Sequence, residues 1–448
     1  MPKNAAHDDG EIQPPPAKAV GGMPATPAPA TSLLERPAFL DVSDPAKIGL
    51  LGLGTVGAAF RDLLTERADA IEAAAGRRPE IAGVVRRSEG DFEGILERSE
   101  IVVELIGGTE PARDYVLRSL RSGRHVVTAN KQLIAQFGDE LFAAAREAGV
   151  QLRFEAAVAG VVPVIRVIQE SLAATEIAKV FGIVNGTTNF ILTEMANTGA
   201  TYADALRRAQ ELGYAEADPS EDVGGADAAA KMAILARLAF GAPIALADVV
   251  YEGITEIQPD DIAYAKELGL SLKLLGVAER RDGGISVRVF PCFLYPHHPL
   301  APVEGPFNAV MVEAPTITEI TMSGPGAGGV ETASAVLGDV VSILSGRAPV
   351  HAAREPLEIV RDISSSFYLH LEVADRPGVL ARIADVLGRN QVSVRSVVQR
   401  GLGDDARLVM VMHECPESWF FRALAEIATL EFLRAQPRAI RVIEEEFV

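Results

Sequence analysis

The sequence predicts an α/β protein in three folded parts: a parallel-sheet α/β domain, an α+β middle segment and a ferredoxin-like C-terminal module. Three observations carry this. Residues 47–64 read as an apolar strand, then Gly52, Gly54 and Gly57, then a helix. Strand-like and helix-like runs alternate after it, the pattern of βαβ units. From residue 367 onward the order changes to β-α-β-β-α-β.

At 448 residues the chain can build several cores, and a formal net charge of −19 opposes the phosphate field of nucleic acid and of anionic membranes. Two cysteines, Cys292 and Cys415, form neither a disulfide framework nor a zinc set, which points to a reducing, cytoplasmic compartment. No apolar run reaches the ~20 residues of a membrane helix. Residues 1–44 are rich in Pro, Ala and Gly, lack an apolar signal core and carry Asp8, Asp9 and Glu11. They read as a disordered tail rather than a secretory or transit peptide.

Order begins near Ala46. In G-x-G-x-x-G the glycines permit a tight turn and close approach to a pyrophosphate, and the helix start offers free N–H groups at a positive dipole end. The strand before and the helix after favour a Rossmann-type nucleotide site over a structural turn. The second strand, Glu80–Val85, runs into Arg86 and Arg87 where NAD sites carry an acid. Guanidinium groups there suit a 2′-phosphate, and so NADP, unless they are ordinary surface arginines. IVVELIGG (101–108) is another buried strand, 111–122 a helix, and HVVTANK (125–131) a strand ending in Thr128, Asn130 and Lys131. Ligands bind at such carboxyl ends, so Lys131 is a candidate for chemistry; the alternative is a solvated helix-start lysine.

FEAAVAGVVPVIRVI (154–168) is apolar but broken by Gly160 and Pro163. FGIVNGTTNFIL (181–192) passes from strand to helix through 185–189, residues suited to capping and to a polar substrate. LGYAEADPSEDVGGADAAAK (212–231) gathers Glu216, Asp218, Glu221, Asp222 and Asp227 ahead of Lys231. Asp227 and Lys231, four apart on a helix, share one face. Such a pair is either a surface ion pair or a lysine–carboxylate site that moves a proton and grips an amine. The acids lack calcium-loop spacing. His297 and His298, adjacent in a loop, read as non-catalytic. GPGAGG (324–329) is a second glycine loop that feeds a helix and can return to the cofactor.

GLGTVG, VELIGG, TANK, FEAAVAG, NGTTNFIL, LGYAEADPSEDVGGADAAAK, HPLAPVEGPFNAV and GPGAGG, in that order, resemble homoserine dehydrogenases of the bacterial type, and DRPGVLARIADVLG (375–388) resembles an ACT domain. The resemblance runs from about 47 to the end. It implies a Rossmann-type dinucleotide-binding domain over 45–153, completed by about 313–350. It further implies an α+β substrate and dimerisation domain over 154–312, a linker over 351–366 and a ferredoxin-like ACT domain over 367–448. The implied reaction is NAD(P)-dependent interconversion of L-homoserine and L-aspartate 4-semialdehyde, in threonine, methionine and isoleucine biosynthesis. A homodimer or homotetramer and feedback by L-threonine through the ACT domain are implied with it.

Matched by position, Gly52, Gly54, Thr55, Val56, Gly57 and Gly328 would hold the cofactor, with Arg86 near a 2′-phosphate and Lys131 near cofactor and substrate. Glu216 would bind the substrate amine, Asp227 would hold the substrate and orient Lys231, and Lys231 would donate the proton in aldehyde reduction. The carbonyls of Val158, Gly160 and Val162 match a loop that binds sodium or a similar cation. Three departures stand out: a short 86–100 interval, implying a trimmed βα element; Val161 in place of a glycine; and Glu331 where proline is common. Another ACT-tailed dehydrogenase would need a catalytic His, a Glu partner and an Arg, and no such set is visible. Intact Lys131, Asp227 and Lys231 oppose a non-catalytic amino-acid sensor.

Overall fold

The structure is a computed structural model that describes residues 44–86, 90–281, 283–349, 356–401 and 406–443. The N-terminal tail, Arg87 and part of the linker lie outside those residues.

Short apolar runs build a five-stranded parallel sheet. β1 (Ala46–Leu51) leads to α1 (Thr55–Glu66) and α2 (Ala68–Ala75), β2 (Pro79–Val85) to α3 (Phe92–Arg98), and β3 (Ile101–Glu104) to α4 (Ala112–Arg121). β4 (His125–Thr128) leads to α5 (Lys131–Ala148), and β5 (Leu152–Arg153) closes the sheet. The strand order is β2-β1-β3-β4-β5. β2 is an edge strand: the short 86–100 interval turns back through α3 to β3, beside β1. The order reverses between β1 and β3, and the crevice outside their carboxyl ends is the ligand position of such sheets. The strand expected over 125–131 ends at Thr128, because Asn130 caps α5 by accepting from the Leu133 N–H, and Lys131 becomes the first helical residue.

After α6 (Val164–Arg166) the chain enters an antiparallel sheet. β6 (Lys179–Ile183) is followed by α7 (Gly186–Thr198), α8 (Tyr202–Glu211), α9 (Ser220–Val223) and α10 (Ala226–Phe240). β7 (Val250–Tyr251), α11 (Pro259–Glu267), β8 (Ser271–Arg281), β9 (Gly284–Leu294), β10 (Phe307–Ala314) and β11 (Thr318–Pro325) complete it. The order runs β11-β10-β6-β8-β9. α10 lies on this sheet at Gly182 and Gly276, where a Cβ would come within 3.2 and 2.5 Å of the Met232 sulfur. α12 (Gly329–Leu344) then returns to the first domain, burying Ala333, Val336 and Val340 with Ile48, Phe60 and Leu64.

The two-residue β12 (Glu358–Ile359) precedes the last module: β13 (Ser364–Val373), α13 (Val379–Arg389), β14 (Val394–Arg400), β15 (Ala406–Met412), β16 (Cys415–Pro416), α14 (Glu417–Ile427) and β17 (Arg438–Ile443). Apart from the tiny β16 this is β-α-β-β-α-β, with sheet order β17-β13-β15-β14. α13 and α14 cover one face, where Phe367 and Phe420 stack at 3.8 Å. Tyr368, Val409, Val411, Ile440 and Val442 on the other face join the core of the second domain. β17 also pairs in parallel with β9, from Arg441↔Cys292 to Ile443↔Leu294, so the two sheets are continuous. Among the described residues no helix is long and apolar enough to cross a membrane.

Candidate active site

The three glycines of the first turn have three different jobs. Gly52, at φ 101°, lies so close to β3's exit that a Cβ would fall 2.5 Å from the Leu105 carbonyl oxygen. Gly57 seats α1 on the turn, with a Cβ position 2.2 Å from the Gly52 oxygen. Gly54 faces open space, nothing lying within 4 Å of its Cβ position. It is also the N-cap of α1 and makes no side-chain cap, which leaves the N–H groups of Thr55 and Val56 for a ligand. Gly328 is the N-cap of α12, and the next residue, Gly329, has its Cβ position 2.9 Å from Thr55 Cγ2. Two positive helix ends therefore converge on one spot, as an anionic pyrophosphate requires. Arg86 is exposed just beyond β2, beside the Gly52 N–H···O=C Val85 bond of 2.9 Å. The residues present fit a dinucleotide. Gly57→Ala should lower the melting temperature, because only backbone could yield. Gly54→Ala should leave melting unchanged and raise the KM for cofactor; thermal melts and cofactor titrations check both.

The second half of the site is built where α5 and α10 run side by side in the same direction. Gly138 on α5 makes the approach possible: its Cβ position lies 2.2 Å from Nη1 of Arg237 on α10. Both first turns then meet. The Asp227 carboxylate, 3 % exposed, takes Lys131 Nζ on Oδ1 at 2.5 Å and Lys231 Nζ on Oδ2 at 2.7 Å. Lys231 also donates to the Val184 carbonyl at 2.8 Å. Asn185, the N-cap of α7, uses its Oδ1 to cap Thr188, and its Nδ2 donates to Asp227 at 2.9 Å and to Asp222 at 2.6 Å. Burial by itself would raise the Asp227 carboxyl, but Lys231 and Lys131 outweigh it and hold the group well below the usual carboxylate range. Burial pushes the Lys131 amine down, Asp227 pushes it up, and the balance lies above its ordinary value. Burial raises Asp222, against the pull of Asn185. Asp227 and Lys231 are thus no solvated surface pair, and Lys131 no free helix-start lysine.

Glu104 escaped the sequence reading, although it is the one charge in an apolar strand. Fully buried, it accepts the Ile106 N–H at 2.7 Å and the Thr128 hydroxyl at 2.6 Å. Thr128 in turn accepts the Asn130 N–H at 3.0 Å, and Asn130 donates to the Gly108 carbonyl at 2.6 Å. This chain joins the exits of β3 and β4 and sets Lys131 at the head of α5. Asp222, one of the five acids of 212–231, is brought to Asn185 only by the fold. Asp218 does shape the loop, accepting the Ser220 N–H at 3.1 Å. Glu216 is exposed on the same loop, and its side chain forms no hydrogen bond or ion pair among the described residues. His298 is buried edge-on to Phe181, its imidazole pushed down to about 4 by burial, away from the lysine cluster.

The loop 158–162 lies against the second glycine loop. Gly160, at φ 63°, has its Cβ position 2.6 Å from the carbonyl oxygens of Pro325 and Gly326. The Val162 carbonyl already accepts the Val164 N–H at 2.8 Å. Glu155 anchors the loop by accepting the N–H groups of Ile165 and Arg166, both at 2.8 Å. Burial, with Asp339 alongside, pushes its carboxyl up to about 7. Among the described residues no group of His, Cys, Asp and Glu side chains is arranged to hold a metal.

A dinucleotide cradle on one sheet and two lysines on a buried carboxylate beside it define a nicotinamide-dependent oxidoreductase. Comparison with known proteins narrows this. The homoserine dehydrogenase NAD-binding family matches residues 52–155, the homoserine dehydrogenase family 163–341 and the ACT domain family 368–431. The chain is 44% identical to the homoserine dehydrogenase of Corynebacterium glutamicum, over 87% of this chain and 92% of that one. The crystal structure of a homoserine dehydrogenase from Thiobacillus denitrificans superposes with a TM-score of 0.84 at 38% identity, covering 90% of this chain and 99% of that one. A hyperthermophilic archaeal homoserine dehydrogenase in complex with NADPH gives 0.60 at 27% identity, covering 69% and 100%. The chain belongs to the homoserine dehydrogenase family, with a C-terminal ACT domain, and its activity is the NAD(P)-dependent interconversion of L-homoserine and L-aspartate 4-semialdehyde.

Proposed function

We propose that Lys231 moves the proton of this reaction and that Asp227 holds both lysines in place for it. The observation that carries this is the shared carboxylate: one buried Asp227 binds Lys131 and Lys231 on separate oxygens. The bound nicotinamide supplies or accepts the hydride. The chain's own residues handle the rest. Lys231 gives its proton to the aldehyde oxygen in reduction, or takes the hydroxyl proton in oxidation. The Val184 carbonyl and Asp227 fix its Nζ. Lys131, at the head of α5 and next to the β4 exit, supports the same oxygen from the cofactor side. Glu216 takes the substrate amine, its free carboxylate being the feature that supports this.

NADP is the preferred cofactor in this reading, supported by exposed Arg86 at the end of β2 and by the NADPH bound to the archaeal relative. The carbonyls of Val158 and Gly160, and less so Val162, suit a monovalent cation such as sodium. The enzyme is a homo-oligomer inhibited by L-threonine through the ACT domain. A cavity of about 410 Å³ between the β13 exit and α13 supports this, lined by Asp375, Arg376, Gly378 and Gln399. Gln399 donates to Asp375 at 3.1 Å across it.

The test is reduction of NADP⁺ and of NAD⁺ with L-homoserine at mildly alkaline pH, with and without L-threonine. Turnover with a lower KM for NADP⁺, and inhibition by threonine, are expected. Absence of turnover by folded protein would sink the reading, and a lower KM for NAD⁺ would remove Arg86 from the 2′-phosphate.

A further inference from the structure

The outer edge of β9 carries three short parallel strands in series. β12 pairs with Gly284 and Ile285, β7 with Arg288 and Val289, and β17 with Cys292 to Leu294. The segment leaving β7 and the last strand of the ACT domain are therefore neighbours on one edge, although Glu252 and Arg441 are 189 residues apart in sequence.

Beyond β7 the chain runs through Glu252, Gly253 and Ile254, held to β9 by the Glu252 N–H···O=C Val289 bond of 2.8 Å. This strap lies hard against the start of the catalytic helix. A Cβ on Gly253 would fall 2.1 Å from the Val223 carbonyl oxygen and 2.7 Å from Gly224 Cα. The Ile254 N–H bonds that same Val223 oxygen at 2.9 Å. Gly225, the N-cap of α10 at φ 88°, has its Cβ position 3.0 Å from the Glu252 carbonyl oxygen. Asp227 follows two residues later. Backbone rests on backbone throughout, so a displaced strap moves the head of α10 with it.

Arg441 of β17 reaches this strap. Its guanidinium binds Glu417 with Nε at 2.7 Å and Nη2 at 3.0 Å, and turns Nη1 to Glu252 at 3.3 Å. It lies over the Phe290 ring, 4.6 Å from the centroid. Glu417 also accepts from Arg288 of β9 at 3.3 Å. Arg441 and Glu417 of the ACT domain thus share one ion network with Glu252 and Arg288 of the second domain, which extends through Arg288 to Glu279. The ACT cavity lies on the same sheet: Val373 and Leu408, on its wall, belong to β13 and β15, and β13 pairs with β17 further along, from Ser366 to His370. The other edge of β17 is β9, so one hydrogen-bonded path runs from the cavity's sheet to the second domain.

We infer that Arg441 and Glu252 form a positioning pair through which the ACT domain, within the same chain, sets the head of α10 and so the hold of Asp227 on its lysines. The inference rests on the regulatory reading above for its effector, and on geometry alone for the mechanical link. Neither residue belongs to the glycine cradle or to the Asp227–lysine cluster described above.

Full-length Glu252→Gln and Glu252→Asp separate the two. Hydrogen exchange without ligand reads the link, calorimetry reads threonine binding, and NADP⁺ reduction reads inhibition. Glu252→Gln should keep the wild-type melting temperature and threonine affinity. Its exchange should quicken within 220–231, and inhibition at saturating threonine should weaken on the order of fivefold, the lower range of allosteric coupling. Glu252→Asp, which keeps the charge, should restore both. Unchanged exchange over 220–231 in Glu252→Gln overturns the positioning pair. So does full inhibition by threonine despite quickened exchange. A wild-type enzyme that threonine neither binds nor inhibits refutes the regulatory reading instead; exchange over 220–231 then decides the link by itself.

Discussion

Replacing Lys231 with alanine should lower kcat by ~10²–10⁴-fold, the scale on which a positioned proton donor acts. The KM for homoserine should change far less, since the loss falls on the transition state. The informative companion is Lys231→Arg. A guanidinium keeps the positive charge and can still pair with Asp227 2.7 Å away, but it does not give up its proton in a protein. Arginine should therefore restore folding and substrate binding without restoring turnover. Steady-state kinetics on both variants decide the matter. If Lys231→Arg turns over at the wild-type rate, Lys231 acts through charge only and the proton must pass through Lys131.

Asp227→Asn should be the second severe change. It removes the one carboxylate that Lys131 and Lys231 share, and leaves two partly buried ammonium groups facing each other. Breaking a buried ion pair from one side costs about 3–5 kcal/mol. Asn185 Nδ2, which donates to Asp227 Oδ2 at 2.9 Å, would face an amide that offers one acceptor instead of two. Turnover should fall on the order of 10²-fold or more as Lys231 loses its orientation. The acid limb of stability should change as well. Because the Asp227 carboxyl is held below its ordinary value in the folded protein, its contribution is complete above the unfolded-state value of about 4 and fades as pH falls further. Denaturant melts should show Asp227→Asn less stable at neutral pH, with the gap to wild type narrowing below about pH 4. A gap that stays constant with pH would show that this carboxylate does not carry its stabilisation as an ion.

Much of the cofactor half was legible in the sequence because its determinants are local. A strand, three glycines with fixed spacing and a helix start fall within 46–66, and the roles of Gly54 and Gly57 follow from that local backbone geometry, whereas Gly52 also answers to the Leu105 carbonyl of the neighbouring strand exit. The Asp227–Lys231 pair was legible for the same reason: four residues on a helix is a contact whatever the fold. Its meaning was not. Surface ion pair and buried site share that spacing, and only burial under α5, with Lys131 arriving from the other domain, separates them.

The same division holds across the molecule. By itself the sequence determined the elements: the glycine turn, the alternating strands and helices, the two catalytic-type lysines, and the β-α-β-β-α-β order of the last module. These depend on periodicity and on residues a few positions apart. The tertiary structure alone decided which ends meet. It brought Asp222 to Asn185, buried Glu104 as the clasp between two strand exits, left Glu216 at the surface, and laid β17 on the open edge of β9 with Arg441 turned toward Glu252. The physical reason is that a strand's pattern encodes which faces are buried, but not which edge it will join. The partner of an edge, like the partner of a buried charge, is chosen only when distant segments compete for it in the folded chain.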